Sequence, residues 1–182
     1  MADPGDRYDP AVRIVDHDPA WAALARQEID RVRGALGPLV ERLEHIGSTA
    51  VPGLGAKPIL DLQLSVAALE PRRPHAEPLE RLGYRHFPDA GSPRYHFFAR
   101  PPQRPRSHHL HVCESGSRHE LRHLAVRDYL RAHPAEAARY EQLKRELVAR
   151  RPRDRLAYIA GKDRYVAELE ARALEWAGAT PG

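Results

Sequence analysis

Apolar residues first recur at helical spacing shortly after the start of the chain. The stretch "DPAW" offers Asp18 as a capping residue and Pro19 for the first turn of a helix. The apolar positions that follow are Trp21, Leu24, Ala25, Ile29, Val32 and Leu36. Because these positions recur every three or four residues, they predict a helix that starts in the stretch "DPAW" and is ended by Gly37 and Pro38.

Strict alternation of apolar and polar residues predicts the strongest strand, "ILDLQLSV", over residues 59–66. Leucines and a valine occupy one of its faces. The polar positions on the other face are Asp61, Gln63 and Ser65. Further strands are predicted over residues 40–46, 84–87, 94–99 and 108–113, although "VERLEHI" at residues 40–46 also fits a helix. A loop followed by a short helix that stops at Gly83 is predicted over residues 70–84.

The pattern becomes helical after residue 119. Three helices are predicted over residues 120–132, 134–149 and 162–176, and the tail "GATPG" is expected to be disordered. Strands first and helices last indicate an α+β fold. We expect one domain over residues 1–182, with a strand-rich core at about 40–115 and a helical part at about 119–177.

Composition narrows the class of protein. The chain has 182 residues, 42% of them hydrophobic and 30% charged, and no apolar run long enough to span a membrane. The start of the sequence lacks an apolar signal region, and the single cysteine, Cys113, allows no internal disulfide, so we expect a cytoplasmic protein. The net charge of +4 arises from interspersed basic and acidic residues, which makes nucleic acid an unlikely partner.

One stretch interrupts these patterns: "HIGSTAVPGLGAKPILDL", residues 45–62. A turn at Gly47 and Ser48 after a strand can present backbone N–H groups and a hydroxyl to phosphate oxygens. Asp61 on the next strand suits Mg²⁺, which carboxylates and phosphates commonly share, and Lys57 adds a positive charge. The residues alone equally allow an ordinary loop in which Asp61 caps the backbone or pairs with an arginine.

The whole stretch closely resembles the signature of the GrpB family, also called UPF0157, in the nucleotidyltransferase superfamily typified by DNA polymerase beta. The resemblance covers nearly the entire chain. Further stretches with counterparts in the same order are "DPAW", "HHLHV", "LAVRDYLRAHPAEAARYEQLKREL" and "AYIAGKDRYV". The resemblance implies a mixed β-sheet with flanking helices, and C-terminal helices packed on it.

The resemblance also implies a chemistry. Superfamily members place acidic residues after a Gly-Ser or Gly-Gly turn, and these acids hold two Mg²⁺ ions that align a nucleoside triphosphate for in-line displacement. By position, Gly47 and Ser48 match the turn and Asp61 matches the first acid. Gln63 stands where the second acid is expected, and its neutral amide oxygen is a weaker metal ligand. The expected ligands are Mg²⁺ or Mn²⁺ and ATP or another nucleoside triphosphate.

Histidines on the strand "SHHLHV" supply further candidates. His109, His111 and Cys113 share one strand face, and if this strand stands where the superfamily carries its third acid, His109 or His111 faces Asp61. Either histidine can then act as a metal ligand or as a base, and the expected metal ligands become Asp61, Gln63 and His111. The alternative is a hydrogen-bonded histidine without a chemical role, and the same two readings apply to His45. No spacing of histidine and cysteine is typical of a structural zinc site.

Basic residues of the C-terminal helices complete the predicted site. Arg127 and Arg131 share a helix face, and together with Lys144 and Lys162 they can meet triphosphate charge across the cleft. Lys162 is the strongest candidate, because it follows a glycine break at the predicted start of a helix, where phosphate is favoured. The competing interpretation is a solvated surface with salt bridges along the helices.

The leading hypothesis is a metal-dependent nucleotidyltransferase that modifies a small-molecule or protein acceptor. In it, Gly47, Ser48, Lys57 and the helical cations hold the nucleotide, Asp61 holds the metal, and His111 or His109 assists. The alternatives are an ATP-dependent ligase of the same fold and, because of Gln63, a nucleotide-binding or regulatory module without catalysis.

Overall fold

Helices flank a five-stranded β-sheet in this computed structural model, which describes residues 11–178. The strands are β1 (Arg42–Ile46), β2 (Leu60–Val66), β3 (Arg85–His86), β4 (Tyr95–Arg100) and β5 (His108–Glu114). The helices are α1 (Ala20–Leu36), α2 (Arg73–Arg81), α3 (Arg118–Ala132), α4 (Pro134–Arg150) and α5 (Arg155–Trp176). Short 3₁₀ turns lie at Gly37–Leu39, Ser48–Ala50 and Pro88–Ala90.

The sheet is mixed, and its order is β1-β2-β5-β4-β3. Only the central pair, β2 and β5, is parallel among the strand pairs of the described chain. This pairing sets Asp61 beside His109 and Gln63 beside His111. The two strands that carry the predicted site therefore lie side by side at the centre of the sheet.

One face of the sheet is covered by α1 and α2. The alternating leucines of β2 meet Leu110 and Val112 of β5, Trp21 and Val32 of α1, and Leu79 of α2 in one apolar cluster. The alternation read from the sequence therefore places the core on the predicted face of β2.

The other face of the sheet is covered by α3, against which α4 and α5 pack. The loop after β1 joins these helices in a second apolar cluster, made of Val51, Leu54, Leu130, Ala137 and Leu169. Gln63 and Ser65 on this face are fully buried, so the polar side of β2 is covered at these two positions. The hydroxyl of Ser65 instead donates to the buried carboxylate of Glu120 at 2.6 Å.

The predicted α+β arrangement, with a mixed sheet and C-terminal helices packed on it, is confirmed. Each predicted strand is present, although β1 begins at Arg42 instead of residue 40 and β3 is confined to Arg85–His86. Asp18 accepts a hydrogen bond from the N–H of Ala20 at 2.9 Å, in the capping role expected of it. The tail predicted to be disordered lies, from residue 179 onward, outside the described residues.

The start of the last helix was predicted wrongly. α5 begins at Arg155, seven residues before the predicted start at Lys162, and Asp154 caps it by accepting from the N–H of Ala157. Gly161 does not break this helix. A Cβ on Gly161 would lie 2.5 Å from Cδ2 of Leu147 in α4, so glycine here allows two helices to approach closely.

Across residues 11–178, none of the helices combines the length and the apolar character that crossing a membrane requires.

Candidate functional site

The glycine-rich turn lies directly against Asp61. Gly47 has a φ of +70°, in the left-handed region that residues with side chains disfavour. A Cβ on Gly47 would lie 2.7 Å from Oδ2 of Asp61. Position 47 therefore requires glycine for two reasons: its φ angle is positive, and the carboxylate of Asp61 leaves no room for a side chain.

Two side chains beside Gly47 fix the turn. Nε2 of His45 lies 2.9 Å from the hydroxyl of Thr49, and this hydroxyl lies 3.4 Å from the carbonyl oxygen of Ile59. Burial lowers the pKa of His45 to about 4, so its ring is neutral near pH 7. These contacts give His45 a structural role and support the reading of this residue as a hydrogen-bonded histidine.

Asp61 is held from one side by His109. Because an ionised carboxylate only accepts hydrogen bonds, Nδ1 of His109 donates to Oδ1 of Asp61, at 2.9 Å. Burial acts to raise the pKa of Asp61, but the hydrogen bond from His109 and nearby positive charge outweigh it, and the net pKa is lowered. The Asp61 side chain is 30% exposed, so the carboxylate is charged and accessible.

Asp61 faces a cavity of about 340 Å³ between the sheet and the C-terminal helices. The cavity is also lined by Gly47, Ser48, His109 and His111, all predicted as site residues. The sequence contains three lysines among 29 basic residues. All three, Lys57, Lys144 and Lys162, line this cavity.

Lys144 joins α4 to the glycine-rich turn. Its ammonium group donates to the hydroxyl of Ser48 at 3.0 Å and to the carbonyl oxygen of Gly55 at 2.6 Å. The residue is 2% exposed, and this burial lowers its pKa to about 7. Lys144 therefore exists in both protonation states near neutral pH, and an anion in the cavity favours the charged one.

Lys162 reaches the cavity from the interior of α5 and not from the start of a helix. The phosphate-binding argument based on a helix N-terminus is therefore wrong for this residue. Burial lowers the pKa of Lys162, while the charge of Asp61 opposes that shift. Lys57, from the loop before β2, also lines the cavity, and its ammonium lies 5.3 Å from the ring centre of Tyr158 in α5.

Arg127 lies outside the cavity lining, contrary to the prediction. Its guanidinium donates to the carboxylate of Glu44 at 2.8 Å and to the carbonyl oxygen of His45 at 3.1 Å. Arg131, on the same helix face, donates twice to the carbonyl oxygen of Ala50, at 3.0 and 2.8 Å. Arg127 and Arg131 therefore hold the backbone of the turn instead of facing a ligand.

Gln63 also lies outside the cavity lining, and its predicted role as a metal ligand beside Asp61 has no geometric basis. Its side chain is fully buried under α3. The amide nitrogen lies 3.4 Å from the carbonyl oxygen of Glu120, and the amide oxygen lies 2.7 Å from Nδ1 of His123. Gln63 is thus a partner of a histidine and not the remnant of a second acid.

His111 lies next to two histidines that the sequence analysis missed. His119 and His123 are one helical turn apart on α3, and their rings approach that of His111 to 5.8 and 4.9 Å between centres. Burial lowers the pKa of His111 to about 4, which makes it a weak base. The i, i+4 spacing in "HELRH" was the signal in the sequence, since it places both rings on one helix face.

Other lining residues were also missed. Tyr140 and Tyr158 contribute to the cavity wall, and burial raises the pKa of Tyr140 to about 12. Arg122 and Glu170 line the cavity as well and pair with each other at 3.3 Å. The remaining charged groups of the lining are Asp61 and the three lysines, so the cavity favours a polyanionic ligand.

The chain matches the family model described as GrpB protein over residues 11–172. UPF0157 protein PA4798 of Pseudomonas aeruginosa is 41% identical over 170 residues, which cover 91% of this chain and 69% of that protein. UPF0157 protein YqkA of Bacillus subtilis is 35% identical over 165 residues, which cover 91% of this chain but only 48% of that protein. The chain therefore spans between about half and two thirds of the length of these relatives.

A solved structure shows the same fold. The crystal structure of the conserved protein GrpB from Enterococcus faecalis superposes with a TM-score of 0.83 and 33% sequence identity, over 90% of this chain and 98% of that one. These matches confirm the resemblance inferred from the sequence motifs and are consistent with the nucleotidyltransferase superfamily. From the family model, the sequence relatives and the shared fold, we conclude that this chain belongs to the GrpB family.

Proposed function

We propose that the cavity binds a nucleoside triphosphate and a divalent ion, and transfers the nucleotidyl group to a hydroxyl or amine of a small-molecule or protein acceptor. One observation carries the proposal: all three lysines of the sequence converge on the cavity that contains Asp61 and the Gly47 turn. Lysine ammonium groups neutralise phosphate oxygens as point charges. A cavity with three such groups and one partly exposed carboxylate suits a triphosphate better than a neutral or cationic substrate.

The residues fit one Mg²⁺ or Mn²⁺ ion and not the two that the superfamily resemblance implied. Asp61 is charged and partly exposed, and Mg²⁺ can be bound by one carboxylate together with phosphate oxygens and water. Gln63 faces His123, and Glu170 is paired with Arg122, so neither offers a second ligand beside Asp61. When bound, the ion would neutralise charge on the phosphates and help to align them.

The protein groups have separate tasks in this scheme. Ser48 and the three lysines hold the phosphates, and the contact with Gly47 fixes the carboxylate of Asp61. The acceptor oxygen or nitrogen forms a bond to the α-phosphorus, the bond from that phosphorus to the bridging oxygen breaks, and pyrophosphate leaves. We assign the acceptor proton to His109, which Asp61 orients and whose Nε2 has no hydrogen-bond partner in the described chain.

The experiment uses a triphosphate labelled at the α-phosphate, with Mg²⁺ or Mn²⁺, and measures pyrophosphate release and transfer of the label. Asp61→Asn is expected to lower turnover about 100-fold or more, because the neutral amide is a weak metal ligand. Asp30→Asn, on the exposed face of α1, is the matched control and should leave turnover unchanged.

A non-catalytic nucleotide-binding module is the second candidate, and it is favoured because Asp61 is, among the described residues of the cavity lining, the one carboxylate that is not paired with an arginine. Tight binding of the triphosphate without pyrophosphate release, across a panel of hydroxyl, amine and carboxylate acceptors, would establish this candidate instead. Pyrophosphate release that depends on a carboxylate acceptor, with an adenylate trapped by hydroxylamine, would indicate the ligase.

A further inference from the structure

Three histidines meet at the edge of the cavity, next to the site proposed for the nucleotide. His111 comes from β5, and His119 and His123 come from successive turns of α3. One ring nitrogen of each lies within 4.8 Å of a ring nitrogen of the other two. This group contains no carboxylate, so its chemistry differs from that of the Asp61 site.

Two of these rings have buried nitrogens that nothing else in the described chain satisfies. Nδ1 of His111 and Nε2 of His119 are buried without a hydrogen-bond partner among residues 11–178. Buried polar atoms are nearly always paired, so two unpaired ring nitrogens on neighbouring histidines of this group indicate a missing ligand. The ring of His119 is held in place by Tyr95, which stacks on it at 3.9 Å.

The third ring is set in the tautomer that a metal requires. The amide nitrogen of Gln63 faces the carbonyl oxygen of Glu120, which can only accept, so the amide oxygen of Gln63 faces His123. That oxygen also only accepts, and therefore Nδ1 of His123 carries the proton and Nε2 carries the lone pair. Histidine ligands of metals are commonly oriented in this way, by an acceptor on the nitrogen away from the ion.

We propose that His111, His119 and His123 bind a transition-metal ion of the zinc class, and that Gln63 is the positioning residue for His123. Imidazole nitrogen suits Zn²⁺, Co²⁺, Ni²⁺ and Fe²⁺ better than Mg²⁺. Three histidines leave a fourth position for water or for a substrate oxygen, as in catalytic zinc sites. His111 and His123 line the cavity, so this position opens toward the proposed nucleotide.

Arg122 sets a condition on binding. Its guanidinium lies 3.3 Å from Nε2 of His123, so the arginine moves away from this nitrogen when an ion binds. The carboxylate of Glu170 already pairs with Arg122 at 3.3 Å, and it balances the charge of the guanidinium after that movement. The rings also turn inward, because tetrahedral Zn²⁺ with bonds of about 2.0–2.1 Å holds its ligand nitrogens about 3.4 Å apart.

The test is metal binding by the full chain after chelator treatment, with Zn²⁺ or Co²⁺ alone and without nucleotide or Mg²⁺. We expect one Zn²⁺ per chain by calorimetry, and visible Co²⁺ absorption bands typical of four or five ligands. His119→Asn and His123→Asn should each weaken binding about 100-fold or more. His17→Asn, beside Trp21 and away from this group, is the matched control and should bind as the unchanged chain does.

Gln63→Leu tests the positioning role, because it keeps all three ligands. We expect binding about 10- to 100-fold weaker, and recovery in Gln63→Glu, which restores an acceptor for His123. Failure of the unchanged chain to give Co²⁺ bands, or equal affinity in folded His119→Asn and His123→Asn, would overturn the proposal. Because no nucleotide is present, this result is independent of whether the transferase proposal holds.

Discussion

Asp61 and Gln63 lie on the same face of β2, each beside a histidine of β5, yet they occupy opposite environments. Asp61 is 30% exposed in a cavity lined by lysines. Gln63 is fully buried, because α3 packs over it and supplies His123 as its partner. The strand pattern alone makes these two positions equivalent, and the helix that covers one of them decides which can bind a ligand.

This comparison changes the meaning of the missing second acid. From the sequence, Gln63 suggested a weakened metal ligand. In the structure its amide uses both ends, as a donor to Glu120 and as an acceptor from His123. A carboxylate can accept but cannot donate, so glutamine suits this buried position better than glutamate does.

The largest effect is expected from placing a charge at the covered position. Gln63→Glu buries a carboxylate, and this group cannot replace the hydrogen bond that the Gln63 amide donates to the carbonyl oxygen of Glu120. We expect the substitution to lower the free energy of unfolding by about 2 kcal/mol at pH 8. Burial raises the pKa of such a carboxyl above its unfolded value, so the loss should be smaller at pH 5, where the group is protonated. Denaturant unfolding at both pH values measures it.

Gln27→Glu, on the exposed face of α1, is the matched control and should change stability by less than about 0.5 kcal/mol. If Gln63→Glu instead raised transferase activity with Mg²⁺, position 63 would be equivalent to position 61, and the comparison would be wrong.

An effect of similar size is expected at the turn that contacts Asp61. Gly47→Ala places a methyl group 2.7 Å from Oδ2 of Asp61 and forces a residue with a side chain to a φ of +70°. We expect a loss of about 1–3 kcal/mol in the free energy of unfolding. Thermal and denaturant unfolding give the measurement.

Gly34→Ala is the matched control for this substitution. Gly34 lies in α1 with open space around its Cα, so alanine there should raise stability by up to about 1 kcal/mol through its higher helix propensity. Equal effects of the two substitutions would contradict the close contact between Gly47 and Asp61.

The smallest effect is a pH dependence of ligand binding in the cavity that contains Asp61. The pKa of Lys144 is lowered to about 7 by burial, so the charged form is lost as pH rises above 7 in the free protein. Bound phosphate favours that charged form, and affinity for inorganic triphosphate should therefore fall above pH 7, by at most about tenfold per pH unit. Triphosphate itself loses protons as pH rises, and the added negative charge strengthens its attraction to the lysines. Titration of the ligand therefore cannot cause the decline in affinity.

Calorimetry in buffers of different ionisation enthalpy should show proton uptake on binding near pH 8. Lys144→Met should bind more weakly and lose this uptake. A chain that keeps the same pH dependence without the Lys144 ammonium would show that another group titrates.

Much of the fold was predictable from the sequence, and for a physical reason. The alternation in residues 59–66 and the helical spacing in residues 21–36 record which side chains are buried, and burial is what holds these elements in place. The start of α5 was missed because Gly161 suggested a break. Its actual role depends on Leu147 of another helix, and no local pattern contains that contact.

The site was predictable only in part. Gly47 and Ser48 in the turn after β1 and Asp61 on the next strand belong to one recognisable stretch of sequence, and all three line the cavity. Arg127 was misassigned because helical spacing gives the direction of a side chain relative to its own helix, and not which neighbour it meets. His119 and His123 were missed because their partner, His111, lies on a strand, and only the packing of α3 on β5 joins them.

The contact between Gly161 and Leu147 has a consequence for ligand size. It sets how closely α4 and α5 approach, and these two helices carry Lys144 and Lys162 into the lining of the same cavity. A bulkier residue at position 161 would spread the two ammonium groups and admit a larger anion. We therefore expect the range of phosphorylated ligands to depend on a residue that touches none of them.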